Sequence, residues 1–322
     1  MLQWLSRVLC LALAMIGLAA IARAELPVLR VAALEGGTVT WELDTIRHYG
    51  LDRAEGFVLE VMPVAGNPAA QVALQGGTAD AIVSDWLWVA RLRAEGRDFR
   101  FLPYSRAVGG LMVRDGGAVQ RLADLKGRRI GIAGGPLDKS WLILRAYAAR
   151  EGLDLAAQTE QVYGAPPLIA QAALSGEVDA ALNFWHFGAK MQAAGMHPLV
   201  TVADAAQALG LDPQTPLLGY VLPGALVAQQ PDLVAGIARA SRAAKARLAT
   251  DDAAFARLRG LMHAGSEAEY SALVAGYRAG IPAPGPVDVA AAGRMLQLMA
   301  ELGGPDMVGP VQALPPDLFL AP

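Results

Sequence analysis

Four side chains able to carry a proton each follow a short apolar run and precede a stretch with helical spacing: Glu35, Asp85, Asp138 and His186. A Glu35/His186 pair could act as acid and base across a cleft. Nothing in the spacing requires that chemistry, and no H-E-x-x-H, G-x-S-x-G or clustered His/Asp metal pattern accompanies these residues. His48, His197 and His263 are isolated and read as surface or helix-packing positions. The groups beside the four favour holding a ligand over transforming one. Thr38, Ser84, Ser140 and Asn183 offer hydroxyls and an amide. Gly36-Gly37 and Gly134-Gly135 precede helices, where glycine lets backbone approach a ligand and free N–H groups favour an anion or a carbonyl. The same glycines also suit a tight strand-to-helix turn, and both readings stand. Neither pair forms a G-x-G-x-x-G fingerprint or a P-loop. Trp41, Trp86, Trp141 and Trp185, four of the six tryptophans, fall in the same loops. They either wall a pocket or pack beneath the loops as core, and the first reading expects aromatic faces from two lobes to sandwich a ligand.

These residues need strands to present them. Leu29–Leu34, Phe57–Val64 and Ala79–Val83 read as strands, with helices over Val39–Tyr49 and Asn67–Leu74 between them. This is the order of βαβ units on a parallel sheet. The pattern returns in Arg129–Ala133, Gln161–Tyr163 and Val178–Leu182, with helices from Lys139 to Glu151 and from Pro166 to Leu174. The letters repeat as well. Gln71 to Ala81 resembles Gln171 to Ala180, and Trp86 and Trp185 each follow an aspartate, Asp80 or Asp179, by six residues. Those two aspartates sit at strand starts and read as structural. The period is too long for a solenoid and fits two similar α/β lobes. An apolar run from Leu217 to Val227 reads as a strand returning to the first lobe. Four helices follow, and the last residues are expected to wrap the surface. In a parallel sheet, ligands bind beyond the carboxyl ends of the strands. The candidate binding set is therefore Glu35, Gly37, Thr38, Trp41, Ser84, Asp85, Trp86, Gly135, Asp138, Ser140, Trp141, Asn183, Trp185 and His186, with no catalytic residue and no metal.

Composition narrows the classes. The chain has 322 residues, 54% hydrophobic and 18% charged, which excludes disorder. Met1 to Ala24 combines a basic start, an apolar run and Ala22-Arg23-Ala24 before Glu25, the pattern of a secretory signal peptide. Cleavage at Ala24 would remove Arg7, Arg23 and Cys10, changing the net charge from −3 to −5 and leaving no cysteine. Disulfide scaffolds, zinc–thiolate sites and cysteine nucleophiles are thereby excluded from the mature chain. No basic tract is present, so nucleic acid is not an expected partner.

Four phrases carry a family resemblance: LRVAALEGGTVTWEL from Leu29, VALQGGTADAIVSDW from Val72, LADLKGRRIGIAGG over 122–135, and LSGEVDAALNFW from Leu174. In this order the chain resembles the periplasmic substrate-binding proteins of ABC importers, in the nitrate/sulfonate/taurine group that also holds thiamine-pyrimidine precursor binders. The resemblance implies an α/β fold of two similar three-layer lobes joined by a two-crossing hinge, of the type II, Venus-flytrap-like kind. Lobe one would take 25–108 and 220–322, and lobe two 109–219, with crossings near 104–114 and 215–224. It further implies a small-molecule solute in the cleft, an inner-membrane ABC permease as partner, a periplasmic monomer, no cofactor and no enzymatic activity. A ligand-sensing partner of a membrane receptor, or an exported enzyme on the same fold, remains the alternative. Two enzyme classes share the fold. Hydroxymethylbilane synthases hold their cofactor on a cysteine, which the mature chain lacks; thiamine-pyrimidine synthases depend on a cysteine-rich segment, absent here, and on an internal histidine, and export argues against both. One departure matters: the cleft segments hold one base, Lys139, beside three acids. A neutral or zwitterionic organic solute with an apolar body fits that balance better than an inorganic anion.

Overall fold

The computed structural model describes residues 25–321. The expected signal peptide and its cleavage site at Ala24 lie outside the described residues. From Val28 the chain alternates strands and helices: β1 (Val28–Leu34), α1 (Val39–His48), α2 (Leu51–Ala54), β2 (Val58–Val64), α3 (Asn67–Gln75), β3 (Ala81–Asp85), α4 (Trp86–Ala94) and β4 (Phe99–Ser105). The core of β1 is buried at successive positions, as expected for a parallel strand covered on both faces. The chain then enters a second unit: β5 (Gly110–Arg114), β6 (Arg129–Ala133), α5 (Lys139–Arg150), α6 (Leu155–Gln158), β7 (Glu160–Gly164), α7 (Pro166–Ser175), β8 (Ala180–Asn183), α8 (Trp185–Ala193), β9 (Met196–Thr201) and α9 (Val202–Ala208). It returns through β10 (Leu218–Pro223), α10 (Gly224–Gln229), α11 (Pro231–Thr250), α12 (Asp252–Met262), α13 (Glu267–Ala279) and α14 (Val289–Val308).

The two sheets have one topology. The first runs β2-β1-β3-β10-β4 and the second β7-β6-β8-β5-β9. In each, the first three strands are parallel, and the fourth, β10 or β5, is antiparallel to both neighbours. That fourth strand is the one arriving from the other lobe, so each crossing is anchored inside a sheet. The first crossing is tight. A Cβ on Gly109 would lie 1.6 Å from the Asn183 carbonyl oxygen, so only glycine fits there. The second is the longer segment after α9. The expected returning strand ends early: Pro223 closes its pairing with β4, and the residues beyond turn into α10.

Asp80 and Asp179 do the same work in the two sheets. Asp80 accepts the Arg30 backbone N–H at 2.8 Å and its guanidinium; Asp179 accepts the Arg129 backbone N–H at 2.9 Å. These bonds clip β3 to β1 in one sheet and β8 to β6 in the other. The C-terminal tail does more than wrap the surface. Phe101 donates its N–H to Leu318 and accepts from Leu320, both at 2.8 Å, so the tail covers the open edge of β4. Helix packing joins the lobes. α13 lies against α8, and α14 packs on α4 from one lobe and α5 from the other. Among the described residues, no helix is long and apolar enough to cross a membrane.

Candidate functional site

The C-terminal ends of both sheets face a cavity of about 240 Å³. Its first wall holds Gly37, Thr38, Ser84, Asp85 and Tyr104; the facing wall holds Asp138, Lys139, Ser140, Phe184, Trp185 and His186. Eight of the fourteen candidate residues therefore line one space: Gly37, Thr38, Ser84, Asp85, Asp138, Ser140, Trp185 and His186. The space lies where strand polarity places it, because every parallel strand points its carboxyl end there.

Helix starts set the side-chain directions. Asp85 caps α4 by accepting from Trp88 N–H at 2.9 Å, and Asp138 caps α5 by accepting from Trp141 N–H at 3.1 Å. The N-termini of α1 and α8 have no side-chain cap. Thr38 and Trp185, at those two helix starts, line the cavity, and neither helix start is capped by a side-chain carboxylate of its own.

The aromatic sandwich is not what the fold makes. Trp41, Trp86 and Trp141 are 2%, 0% and 1% exposed and do not line the cavity. Each sits within the first turn of its helix at a position rotated away from the cleft and onto the apolar side. The rings instead fill the core beneath the loops. Trp86 meets Phe319 edge-on at 5.9 Å, and Trp41 lies 5.9 Å from Trp185 at 87°. Trp41 thus backs the one tryptophan that reaches the cavity. Three further candidates lie elsewhere. Glu35 is exposed outside the cavity, so it does not face His186 across it. Gly135 lies beside the cavity without lining it, leaving Asp138 and its neighbours as that loop's contribution. Asn183 is buried, donating its amide to the Pro166 carbonyl and accepting from Phe184 N–H, both at 2.8 Å. It braces the starts of α7 and α8.

The electrostatics are specific. Lys139 Nζ sits 3.1 Å from Asp85 Oδ2, an ion pair between the two walls. Burial raises the Asp138 carboxyl above the ordinary carboxylate range, and the nearby Asp85 charge adds to it. Burial, helped by the Lys190 charge, lowers the His186 imidazole from 6.5 to about 4, so it is neutral at pH 7. The cavity thus pairs one ammonium with one of two carboxylates, beside a neutral imidazole.

Sequence reading missed Asn67, Tyr104 and Leu218 in the lining. Asn67 begins α3 at the end of β2 and obeys the same strand-end rule, but the Asn-Pro pair reads first as a helix start. Tyr104 is next to last in β4, whose mixed composition gives no strand signal. A larger omission lies just behind. Glu42 on α1 is fully buried, with Lys245 Nζ at 2.6 Å from Oε2 and Tyr277 OH donating to that oxygen at 3.2 Å. Tyr220 OH and Ser241 Oγ each donate to Oε1 at 2.7 Å. The Lys245 ammonium lies 4.7 Å over the Tyr104 ring. This network backs the wall that Thr38 and Tyr104 present to the cleft.

The profile of the family described as "NMT1/THI5 like" matches residues 50–254, more than half the chain. The chain belongs to the NMT1/THI5-like family. The fold of this family member recurs in solved structures. The alkanesulfonate-binding protein SsuA from Xanthomonas axonopodis pv. citri, bound to MOPS, superposes with a TM-score of 0.69 at 18% identity, covering 93% of this chain and 100% of that one. The periplasmic aliphatic sulphonate-binding protein SsuA from Escherichia coli gives 0.69 at 19%, covering 91% and 98%. A mutant of DszB in complex with biphenyl-2-sulfinic acid gives 0.59 at 21%, covering 91% and 97%. At these identities the likeness establishes the two-lobed α/β fold. No curated protein matches the sequence.

Proposed function

We propose that the chain is the exported solute-binding component of an ABC importer, holding a small organic solute between its lobes and handing it unchanged to an inner-membrane permease. The moving units would be 25–108 with 220–322, and 109–219. The observation that carries this reading is the cavity itself, with walls from both lobes and the Lys139–Asp85 pair across it. A solute touching both walls stabilises the closed form, and closure is what a permease can read.

The lining favours a zwitterion. An acidic head fits the uncapped N-termini of α1 and α8. The corresponding ends of α4 and α5 already hold the Asp85 and Asp138 carboxylates, which suit a cationic or hydrogen-bond-donating tail. Trp185, Phe184 and Val83 give an apolar body somewhere to lie. MOPS, the zwitterionic sulfonate named with one structural relative, has that distribution of groups. The geometry is in keeping with binding alone: Glu35 and His186, the pair that could have acted as acid and base, do not meet across the cavity.

Native mass spectrometry of the protein from its own periplasm, with titration calorimetry using MOPS and taurine, tests this. The expected result is a bound small molecule recovered chemically unchanged. Saturable binding with product formation, or no stabilisation by any zwitterionic or neutral organic solute, would overturn the proposal.

A further inference from the structure

A second, larger space lies behind the cleft. It measures about 580 Å³ and lies between α11, the second crossing segment and the proline-rich loop that joins α13 to α14. Its walls follow from composition. α11 turns a face of small residues to it, Ala238, Ala246 and Ala249, spaced so that they share one side of the helix. Opposite stand Pro216, Pro282 and Pro284, whose fixed φ keeps the facing backbone from collapsing inward. Small side chains against rigid loops leave room, and the walls are mostly apolar carbon.

The charged groups facing this space are Asp212, Asp288, Lys245 and Arg242. Three have partners within the fold, of which Lys245 alone is neutralised by an opposite charge. Asp212 accepts from Gln214 N–H at 2.9 Å, and Asp288 caps α14 through Ala290 and Ala291 N–H. Lys245 is held by Glu42 and Ser241. Arg242 is exposed and forms no ion pair or side-chain hydrogen bond among the described residues. The wall also contains Thr215, 7% exposed, whose Oγ1 is buried without a hydrogen-bond partner. A buried hydroxyl left unmatched is costly, and such groups need a reason.

We infer that this rear cavity is a second ligand site, separate from the cleft, for an amphipathic organic monoanion. Its anionic head would pair with the Arg242 guanidinium, and its apolar body would lie between the alanine face of α11 and the prolines. The site does not depend on what the cleft binds. It borders the cleft at the wall where Lys245 and Ile281 stand beside Thr38, Tyr104 and Trp185.

Titration calorimetry of the purified protein with octanoate tests the site, with octylammonium as the opposite charge. The expected result is one saturable octanoate site, with octylammonium binding at least tenfold more weakly. Arg242→Gln should weaken octanoate at least tenfold. Ala246→Trp, a change at an exposed helix position that fills the space, should abolish binding while the protein still melts cooperatively. His186→Ala, in the cleft, should leave octanoate binding unchanged. The inference is overturned if octanoate shows no saturable binding at millimolar concentration. It is equally overturned if both Arg242→Gln and Ala246→Trp bind like the parent, or if His186→Ala rather than Arg242→Gln removes the site.

Discussion

At the residue scale, tryptophan placement separates affinity from stability. Trp185 lines the cavity, whereas Trp86 and Trp141 are buried beneath it. Trp185→Ala should weaken solute binding by about 2–4 kcal/mol, as expected for removal of a contacting aromatic anchor. Trp86→Ala and Trp141→Ala should lower unfolding stability by about 3–5 kcal/mol and leave the affinity of the folded protein nearly unchanged. Calorimetry and chemical denaturation of the three variants distinguish the effects; a Trp185→Ala protein that binds like the parent would place the solute elsewhere. His186 adds a pH signature. Its imidazole titrates at about 4 in the fold against 6.5 ordinarily, mainly because burial disfavours the cation. Between those values the unfolded chain takes up a proton that the folded chain refuses. Stability is therefore full above the ordinary value, falls as pH drops through the window, and stops falling below the folded value. The loss reaches about 3 kcal/mol at most. Denaturation at pH 7 and pH 4.5 should show a smaller drop for His186→Gln than for the parent; equal drops would remove His186 as the cause. The contrast also shows what sequence could convey here. Strand-end position identified Asp85, Asp138, Ser140 and His186, but it could not say which face of a first helical turn looks outward. One residue of rotation decides between cleft and core, and that rotation is set by packing.

At the element scale, Glu42 ties together parts distant in sequence. It joins α1 to β10, α11 and α13 through Tyr220, Ser241, Lys245 and Tyr277. Removing one partner of a buried pair leaves an uncompensated charge, whereas removing both need not. Glu42→Gln should destabilise by about 3–5 kcal/mol. Lys245→Met should cost a comparable amount, and the double variant should cost clearly less than the sum. Denaturant titration of this cycle measures the coupling; strict additivity would mean that the pair contributes no interaction of its own. The network was illegible in sequence because a lone Glu in an amphipathic helix reads as solvated surface, and its partners lie about 180 to 235 positions away. The parallel core was legible for the opposite reason. β1, β3, β6 and β8 are short apolar runs closed by turn residues, a local signal. β4, β5 and β9 carry the crossings and edges, where pairing is antiparallel and partners come from elsewhere in the chain, so local pattern says little.

At the scale of the whole molecule, the arrangement of the two lobes rests on contacts that only their meeting creates. The most exacting is Gly276 on α13, which stands over the Trp185 ring of α8. A Cβ there would lie 2.7 Å from two ring carbons, too close for real atoms. The ring has little freedom to retreat, because Trp41 meets it edge-on from behind at 5.9 Å. Gly276→Ala must therefore push α13 from α8 or turn Trp185 out of the cavity wall. Either response acts on closure without touching either sheet. Small-angle scattering should show a larger radius of gyration for the variant, and solute affinity should fall at least tenfold. Its thermal transition should remain cooperative. Gly293→Ala in α14 provides the control. A methyl added at that position would meet no heavy atom within 4 Å, so alanine should only raise helix stability, by about 0.5–1 kcal/mol. If Gly276→Ala matches the parent in both scattering and affinity, the contact between α13 and α8 does not govern closure, and Trp185 is held by Trp41 and its own lobe rather than by α13.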